Sequence, residues 1–93
     1  EVVGAGSGQP PLNREKTPMN LYLQRIDPAR NMARFYRITV TPTLFGDWAL
    51  IREWGRIGSP GTLRETWYGD EAAARRAGEQ RVQQKLRRGY RRR

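Results

Sequence analysis

One nine-residue segment of the sequence combines side chains that could bind a phosphate-bearing ligand. It reads Glu53-Trp54-Gly55-Arg56-Ile57-Gly58-Ser59-Pro60-Gly61, with a glycine at every third position. Backbone N–H groups in such a loop can surround an anion, and the guanidinium of Arg56 can form paired hydrogen bonds with a phosphate. The indole of Trp54 offers a flat face to a sugar or an exposed base. The chemistry that this segment supports is recognition of phosphate and sugar.

The same segment also fits a purely structural interpretation. Buried aromatic residues are common at strand ends and glycine-rich turns are ordinary, so Trp54 could be a core residue beside a hairpin loop. No Gly-Lys-Ser/Thr sequence follows, which excludes a Walker phosphate loop. Taken alone, the segment leaves the binding and the structural interpretation open.

The charge of the chain favours a polyanionic partner such as nucleic acid. Lys and Arg number 18 against 9 Asp and Glu in 93 residues, which gives a formal net charge of +9. Most of the cations are arginines, whose planar fork suits phosphate and guanine, although GC-rich codon usage explains the same bias equally well. The chain has no His and no Cys, so it lacks the common zinc ligands, a thiol nucleophile and the usual general base.

The carboxylates form no pattern in the sequence that is typical of catalysis or metal binding. Glu53 and Glu65 lie on strands expected to be neighbours, and we expect them to pair with Arg52 or Arg64 across the sheet. The other acidic residues show no spacing that would support an acid/base pair. We therefore predict that the protein is not an enzyme, has no catalytic or metal-binding residues and needs no cofactor.

Residues 1–18 are predicted to form a flexible N-terminal arm and residues 19–93 a single domain. The arm is rich in Gly, Ser and Pro, has no aromatic residue and carries charges that cancel, so the whole positive excess lies in residues 19–93. No apolar stretch is long enough for a signal peptide or a membrane span. We expect a soluble cytoplasmic protein, without a membrane partner, that associates with the nucleoid if it binds DNA.

The alternation of apolar and polar residues predicts four strands followed by one helix. The predicted strands cover residues 21–26, 34–41, 48–54 and 62–68. The helix is expected over residues 71–88, with Asp70 as its N-cap. Its thin apolar face is made of small or aliphatic residues that would let it lie close to a sheet: Ala74, Ala77, Gly78, Val82 and Leu86. Strands followed by a helix indicate an α+β domain.

An ordered set of features along residues 19–90 resembles the WGR domain family. The matching features are Asn31, Phe35-Tyr36-Arg37-Ile38, Trp54-Gly55-Arg56-Ile57-Gly58, Gly61 and Lys85-Leu86-Arg87-Arg88-Gly89-Tyr90. The order of these features makes the resemblance more specific than the three-residue signature alone. The helix interior departs from the family pattern, because Ala77 and Gly78 stand where bulky aromatic residues are expected.

The resemblance implies a small twisted antiparallel β-sheet of about four strands with one C-terminal helix packed across it. Such domains are found in DNA-damage-dependent poly(ADP-ribose) polymerases and in small bacterial proteins. In the polymerases the domain binds DNA ends, and its signature Trp and Arg contact the sugar and phosphate at a strand break. Carried over by motif position, the implied DNA-binding residues are Trp54, Gly55, Arg56, Lys85, Asn31 and Tyr90. Gly55 would permit close backbone approach, and Lys85 would be a further phosphate ligand.

The C-terminal end of the chain adds a dense group of cations. We expect nonspecific phosphate contacts from Arg87, Arg88, Arg91, Arg92 and Arg93. Alternatively, these cations stabilise the helix dipole and form a solvated tail.

These observations lead to a hypothesis and two alternatives. The hypothesis is a non-catalytic DNA-binding module that recognises duplex ends or strand breaks through phosphate and sugar contacts. The first alternative is a protein–protein interaction module that uses the loop of residues 54–61 and an exposed sheet edge, with a basic tail that steers encounter. The second is RNA binding through Phe35, Trp48 and Trp67, although no RNA-binding motif accompanies them.

Overall fold

The computed structural model describes residues 19–93. Along the chain these residues form β1 (Met19–Asp27), β2 (Met32–Pro42), β3 (Trp48–Arg56), β4 (Thr62–Tyr68), α1 (Glu71–Arg87) and β5 (Arg91–Arg92). One turn of 3₁₀ helix, Pro28–Arg30, joins β1 to β2. The strands form one antiparallel sheet in the order β4-β3-β2-β1-β5. The predicted α+β class is confirmed, and the predicted arm, residues 1–18, lies outside the described residues.

The sheet has five strands, one more than the sequence predicts. After α1, Gly89 takes a φ of 98°, a left-handed conformation that suits glycine, and the chain turns back toward β1. Arg91 and Arg92 then pair with Gln24 and Leu23 of β1. The sequence does not predict this strand because two arginines carry no alternation of apolar and polar residues.

The central strands bury one face of the sheet against α1. On β2, Tyr36, Ile38 and Val40 point toward α1 and are at most 2% exposed. Leu23 of β1 lies opposite Tyr36, and Leu50 of β3 lies opposite Val40, so the core continues across three strands. We call the face that contains these five residues the helix side of the sheet, and the opposite face the free side.

Small residues allow α1 to lie close to the sheet. The carboxylate of Asp70 caps the helix by accepting a hydrogen bond from the N–H of Ala73 at 2.8 Å, as predicted. Ala74 and Gly78 are buried, and a Cβ on Gly78 would lie 3.3 Å from the side chain of Leu50. The close approach replaces the bulky aromatic packing expected from the family pattern. Among residues 19–93, no helix is long and apolar enough to span a membrane.

The charged residues of β3 and β4 separate between the two faces of the sheet. Glu53 and Glu65 point to the free side, where Glu53 lies 3.7 Å from Arg37, while Arg52 and Arg64 point to the helix side. The prediction that these carboxylates pair with Arg52 or Arg64 is therefore wrong, because residues one position apart on a strand face opposite ways. Within residues 19–93, no three carboxylates cluster as possible metal ligands.

Candidate nucleic-acid interface

The last residues of β3 place the signature side chains on the helix side. Trp54 and Arg56 share this face because they are two positions apart on a strand, whereas Gly55 faces the free side. On β2 their cross-strand neighbours are Tyr36 and Arg34. The strand therefore presents the indole and the guanidinium together at one end of the sheet.

The exposed side chain of Arg56 is held in place by Asn31. One terminal nitrogen, Nη1, donates to the main-chain carbonyl of Asn31 at 3.1 Å, and Nη2 donates to its side-chain Oδ1 at 3.3 Å. Asn31 follows the 3₁₀ turn with a φ of 53°, a left-handed conformation that asparagine tolerates better than most residues. Two residues that the resemblance named separately thus form one unit.

Trp54 combines a structural contact with an accessible position. Its ring stacks on the buried ring of Tyr36, with centroids 6.4 Å apart, and the side chain is partly buried. The guanidinium carbon of Arg52 lies 5.5 Å from the centroid of the indole, within the range of a cation–π contact. Trp54 therefore packs against the core and also borders the surface of the helix side.

Lys85 of α1 projects over two aromatic rings near the same end of the sheet. Its Nζ lies 4.9 Å from the ring centroid of Tyr36 and 5.3 Å from that of Tyr90. Burial lowers the pKa of Lys85, and repulsion from Arg88 and Arg34 lowers it further. Tyr90 is only 6% exposed, so its ring belongs to the core and contacts Lys85 from the interior of the domain.

A basic recess of about 280 Å³ lies between the end of the sheet and α1. Its walls carry four cations and no acidic residue, and the lining residues are Tyr36, Arg52, Trp54, Arg81, Gln84, Lys85 and Arg88. The hydroxyl of Tyr36 is buried there beside the guanidinium of Arg52, and it donates to no acceptor among the described residues. Burial raises the pKa of Tyr36, so its hydroxyl keeps its proton at neutral pH. The recess therefore offers four cations to an anion.

A row of arginines crosses the helix side at the end of β3. Arg25, Arg34 and Arg56 lie directly opposite one another on β1, β2 and β3. Like charges in direct opposition destabilise a sheet, and no acidic residue in the described part of the chain forms an ion pair with any of the three. The row therefore concentrates positive charge at this end of the sheet.

The glycines of the signature loop serve the loop's own folding. A Cβ on Gly55 would lie 2.8 Å from the Cα of Gly61, so the close approach that Gly55 permits in the structure is that of the loop backbone. Two N–H groups of the loop are also used internally: that of Ile57 donates to the carbonyl of Ala33 at 2.8 Å, and that of Ser59 to the carbonyl of Arg56 at 3.0 Å. These two groups are not available to an anion.

The C-terminal cations do not lie on one surface. Arg88 lines the basic recess, whereas Arg87 and Arg92 line a groove on the other flank of α1. Arg91 pairs with Gln24 and therefore faces the free side, and the N–H of Arg93 donates to the carbonyl of Tyr22 at 2.9 Å. Of the five residues, Arg88 alone borders the recess beside Trp54.

The sequence model of the WGR domain matches residues 19–93, the whole described range. The chain belongs to the WGR domain family. An uncharacterized protein of Sinorhizobium fredii, y4dW, is 47% identical over 74 residues, which are 80% of this chain and 36% of that relative. No solved structure gives a significant match. WGR domains are in general nucleic-acid-binding modules.

In this WGR domain, sequence reasoning missed most of the cations around the signature. Arg25, Arg34, Arg52 and Arg81 are separated along the chain, and strand register with helix packing brings them to one end of the molecule. The alternation in β1, β2 and β3 could have placed the first three on the helix side. Which of them lie opposite one another depends on register, which the sequence does not reveal.

Proposed function

We propose that this WGR domain binds DNA with the helix side of its sheet and recognises duplex ends or strand breaks through phosphate and sugar contacts. The observation that carries the proposal is the recess beside Trp54, in which four cations and no acidic residue surround a Tyr36 hydroxyl that has no hydrogen-bond acceptor among the described residues. An unpaired buried hydroxyl costs free energy, and a terminal phosphate seated in the recess would supply its missing acceptor.

The signature residues lie at the border of this recess. Trp54 would pack against the sugar that carries the terminal phosphate, because its ring is fixed on Tyr36 while part of it remains accessible. Arg56 would contact the backbone with its exposed guanidinium, which Asn31 orients in advance.

The other residues that the family resemblance implies would line the recess or support it from the interior of the domain. Lys85 would neutralise the phosphate, while the buried Tyr90 would support Lys85 without touching the DNA. Gly55 would act by shaping the loop. Nonspecific attraction would come from Arg87, Arg88, Arg91, Arg92 and Arg93.

A binding series with four DNA forms of equal length tests the proposal. Nicked, blunt 5′-phosphorylated, blunt dephosphorylated and covalently closed circular DNA are compared at two salt concentrations. End recognition requires tighter binding to the nicked and phosphorylated forms at both concentrations, because attraction by net charge alone does not distinguish these substrates. Equal affinity for linear and closed DNA would contradict the proposal.

Two variants test whether a preference for DNA ends depends on the signature residues. Arg56→Gln removes the charge of an exposed side chain and is expected to lower the affinity for nicked DNA by roughly tenfold or more, with little loss for closed DNA. Arg76→Gln is the matched control, because Arg76 is an exposed arginine that lines the groove on the other flank of α1. An equal loss in both variants would show that only net charge matters.

Protein–protein interaction is a second candidate function, favoured by apolar side chains on the free side and the turn beside it. Leu44 and Phe45, in the turn between β2 and β3, are 98% and 78% exposed, and Trp67 of β4 is 49% exposed. Phe45 and Trp67 stack with ring centroids 6.1 Å apart. This candidate predicts that purified protein ignores DNA ends at moderate salt and that Trp67→Ser, not Arg56→Gln, abolishes binding to a nucleic-acid-free partner.

A further inference from the structure

The helix side of β4 carries an open strip of hydrogen-bond donors, which the signature does not include: Thr62, Arg64 and Thr66. Thr62, Arg64 and Thr66 alternate onto this face, and all three are exposed, because α1 covers β4 only near Tyr68. Hydroxyls and guanidinium groups are common ligands of the DNA backbone.

Arg64 lies directly opposite Arg52, which belongs to the basic recess. The two arginines are cross-strand partners on β4 and β3, and no acidic residue of residues 19–93 forms an ion pair with either. The nearest carboxylates along these strands, Glu53 and Glu65, point to the free side. The pair is therefore an unneutralised double positive charge at the centre of the strip.

The strip begins at the signature and leads away from it. Thr62 is the cross-strand partner of Trp54, and Thr66 that of Leu50, so the strip runs along β4 from Trp54 toward the start of β3. At about 3.3 Å per residue, Thr62 and Thr66 are roughly 13 Å apart, which equals the rise of about four base-pair steps along the axis of a duplex. A DNA strand that contacts Trp54 can thus continue along β4.

We propose that Arg52 and Arg64, flanked by Thr62 and Thr66, form a second site that binds a phosphodiester of the DNA backbone inside the end. The inference rests on the proposed function, since it takes the end at Trp54 as the starting point of the strand. It adds a contact to the duplex interior adjacent to the end, at a site that borders the recess for the terminal phosphate and shares Arg52 with it.

A methylphosphonate scan tests this site. Single phosphates at positions one to six from the end of a phosphorylated duplex are replaced in turn by neutral methylphosphonate, and affinity is measured for wild type and Arg64→Gln. Methylphosphonate at the end and at one interior position should lower the affinity of wild type. In Arg64→Gln, methylphosphonate at the end should still lower the affinity, but methylphosphonate at the interior position should not. The slope of log affinity against log salt concentration should be shallower by about 0.9 in Arg64→Gln. This difference means that the variant loses about eightfold more affinity at 0.1 M salt than at 1 M salt.

Two further variants separate a contact from a general loss of charge. Arg64→Lys should restore the salt dependence but not the full affinity, since lysine keeps the charge without the planar fork. Arg76→Gln should keep the interior sensitivity of wild type. Because Arg64 is exposed, circular dichroism should show an unchanged fold in each variant.

The results distinguish failure of the second site from failure of end recognition. An identical scan in wild type and Arg64→Gln, with preference for ends retained, overturns the second site and leaves end recognition standing. A flat scan in wild type, together with equal affinity for linear and closed DNA, overturns end recognition and the second site with it.

Discussion

Asn31 accepts hydrogen bonds from the guanidinium of Arg56 through its main-chain carbonyl and its side-chain amide oxygen, at 3.1 and 3.3 Å. The two contacts fix the plane of the guanidinium before any ligand arrives. Such preorganisation reduces the entropy that a side chain loses on binding. The family signature therefore depends on a residue that precedes it by 25 positions.

Replacing Asn31 with glycine should weaken DNA binding without weakening the fold. Glycine keeps the carbonyl contact and tolerates the φ of 53°, so Asn31→Gly removes the amide contact alone. The loss should be about 0.5–1.5 kcal/mol of binding free energy, measured by titration with nicked duplex DNA. Asn31→Asp should weaken binding further, because a carboxylate would compete with phosphate for Arg56. An unchanged affinity in both variants would show that the contact has no role in binding.

Gly55→Ala should destabilise the domain although Gly55 has an ordinary strand conformation. The added methyl group would lie 2.8 Å from the Cα of Gly61, and neither backbone can move without disturbing the signature loop. We expect a loss of about 1–3 kcal/mol in the free energy of unfolding, measured with urea. Gly69→Ala is the control, since a Cβ at Gly69 meets no atom within 4 Å. Equal stability of the two variants would show that the loop adapts.

Lys85→Met should weaken DNA binding but not the fold. Burial and neighbouring arginines lower the pKa of Lys85, so its positive charge is unfavourable in the free protein. The melting temperature should equal or exceed that of wild type. Because one phosphate contact is lost, the affinity for phosphorylated ends should fall about eightfold more at 0.1 M salt than at 1 M salt.

The same residue predicts a pH dependence of binding. Deprotonation of Lys85 removes a positive charge from the recess, so affinity should fall as pH rises through its lowered pKa, before ordinary lysines titrate. Lys85→Arg stays charged over this range and should abolish the decline. A decline that persists in Lys85→Arg would assign the titration to another group.

Tyr36→Phe should weaken the binding of 5′-phosphorylated ends without lowering the stability of the fold. The hydroxyl donates to no acceptor in the described part of the chain, so its removal should leave the free energy of unfolding unchanged or raise it. If the hydroxyl donates to a terminal phosphate, affinity for 5′-phosphorylated ends should fall by about 0.5–1.5 kcal/mol. Dephosphorylated ends should bind wild type and variant equally.

The C-terminal arginines should affect binding differently when they are substituted and when they are deleted. Arg91→Gln with Arg93→Gln removes two charges and keeps the backbone of β5, so affinity for every DNA form should fall by the same factor. Deletion of residues 91–93 also removes the pairing with β1 and should lower the melting temperature. A loss of end preference in the double substitution would place one of these arginines at the end-binding site.

The sequence predicts the strands and the helix well because their patterns are local. Tyr36, Ile38 and Val40 alternate with less buried residues, and the side chain of Asp70 caps α1 where an N-cap is expected. The bounds of β1, β2 and β3 extend past the predicted ends because hydrogen-bond pairing continues beyond the apolar pattern. Strand β5 escapes prediction because its pairing follows from the turn at Gly89 and the burial of Tyr90.

The candidate site is only partly predictable for a related reason. The residue types of the signature point to phosphate and sugar, but the contact between Asn31 and Arg56 joins the β1–β2 connection to the end of β3, which only the fold brings together. The cross-strand row of Arg25, Arg34 and Arg56 depends on strand register. The unpaired state of the Tyr36 hydroxyl depends on packing that no sequence pattern encodes.

The separation of charges between the two faces has a consequence for how the molecule approaches a polyanion. On the free side, Glu53 and Glu65 are balanced by Arg37 and Arg91, whereas the arginines of the helix side lie opposite one another without ion pairs in the described part of the chain, so the positive charge of the sheet is concentrated on one face. In the field of DNA this asymmetry of charge produces a torque on the domain at separations of up to about 8 Å at physiological salt, so encounters begin with the helix side facing the DNA. The pleat of the sheet thereby sets the orientation of first contact.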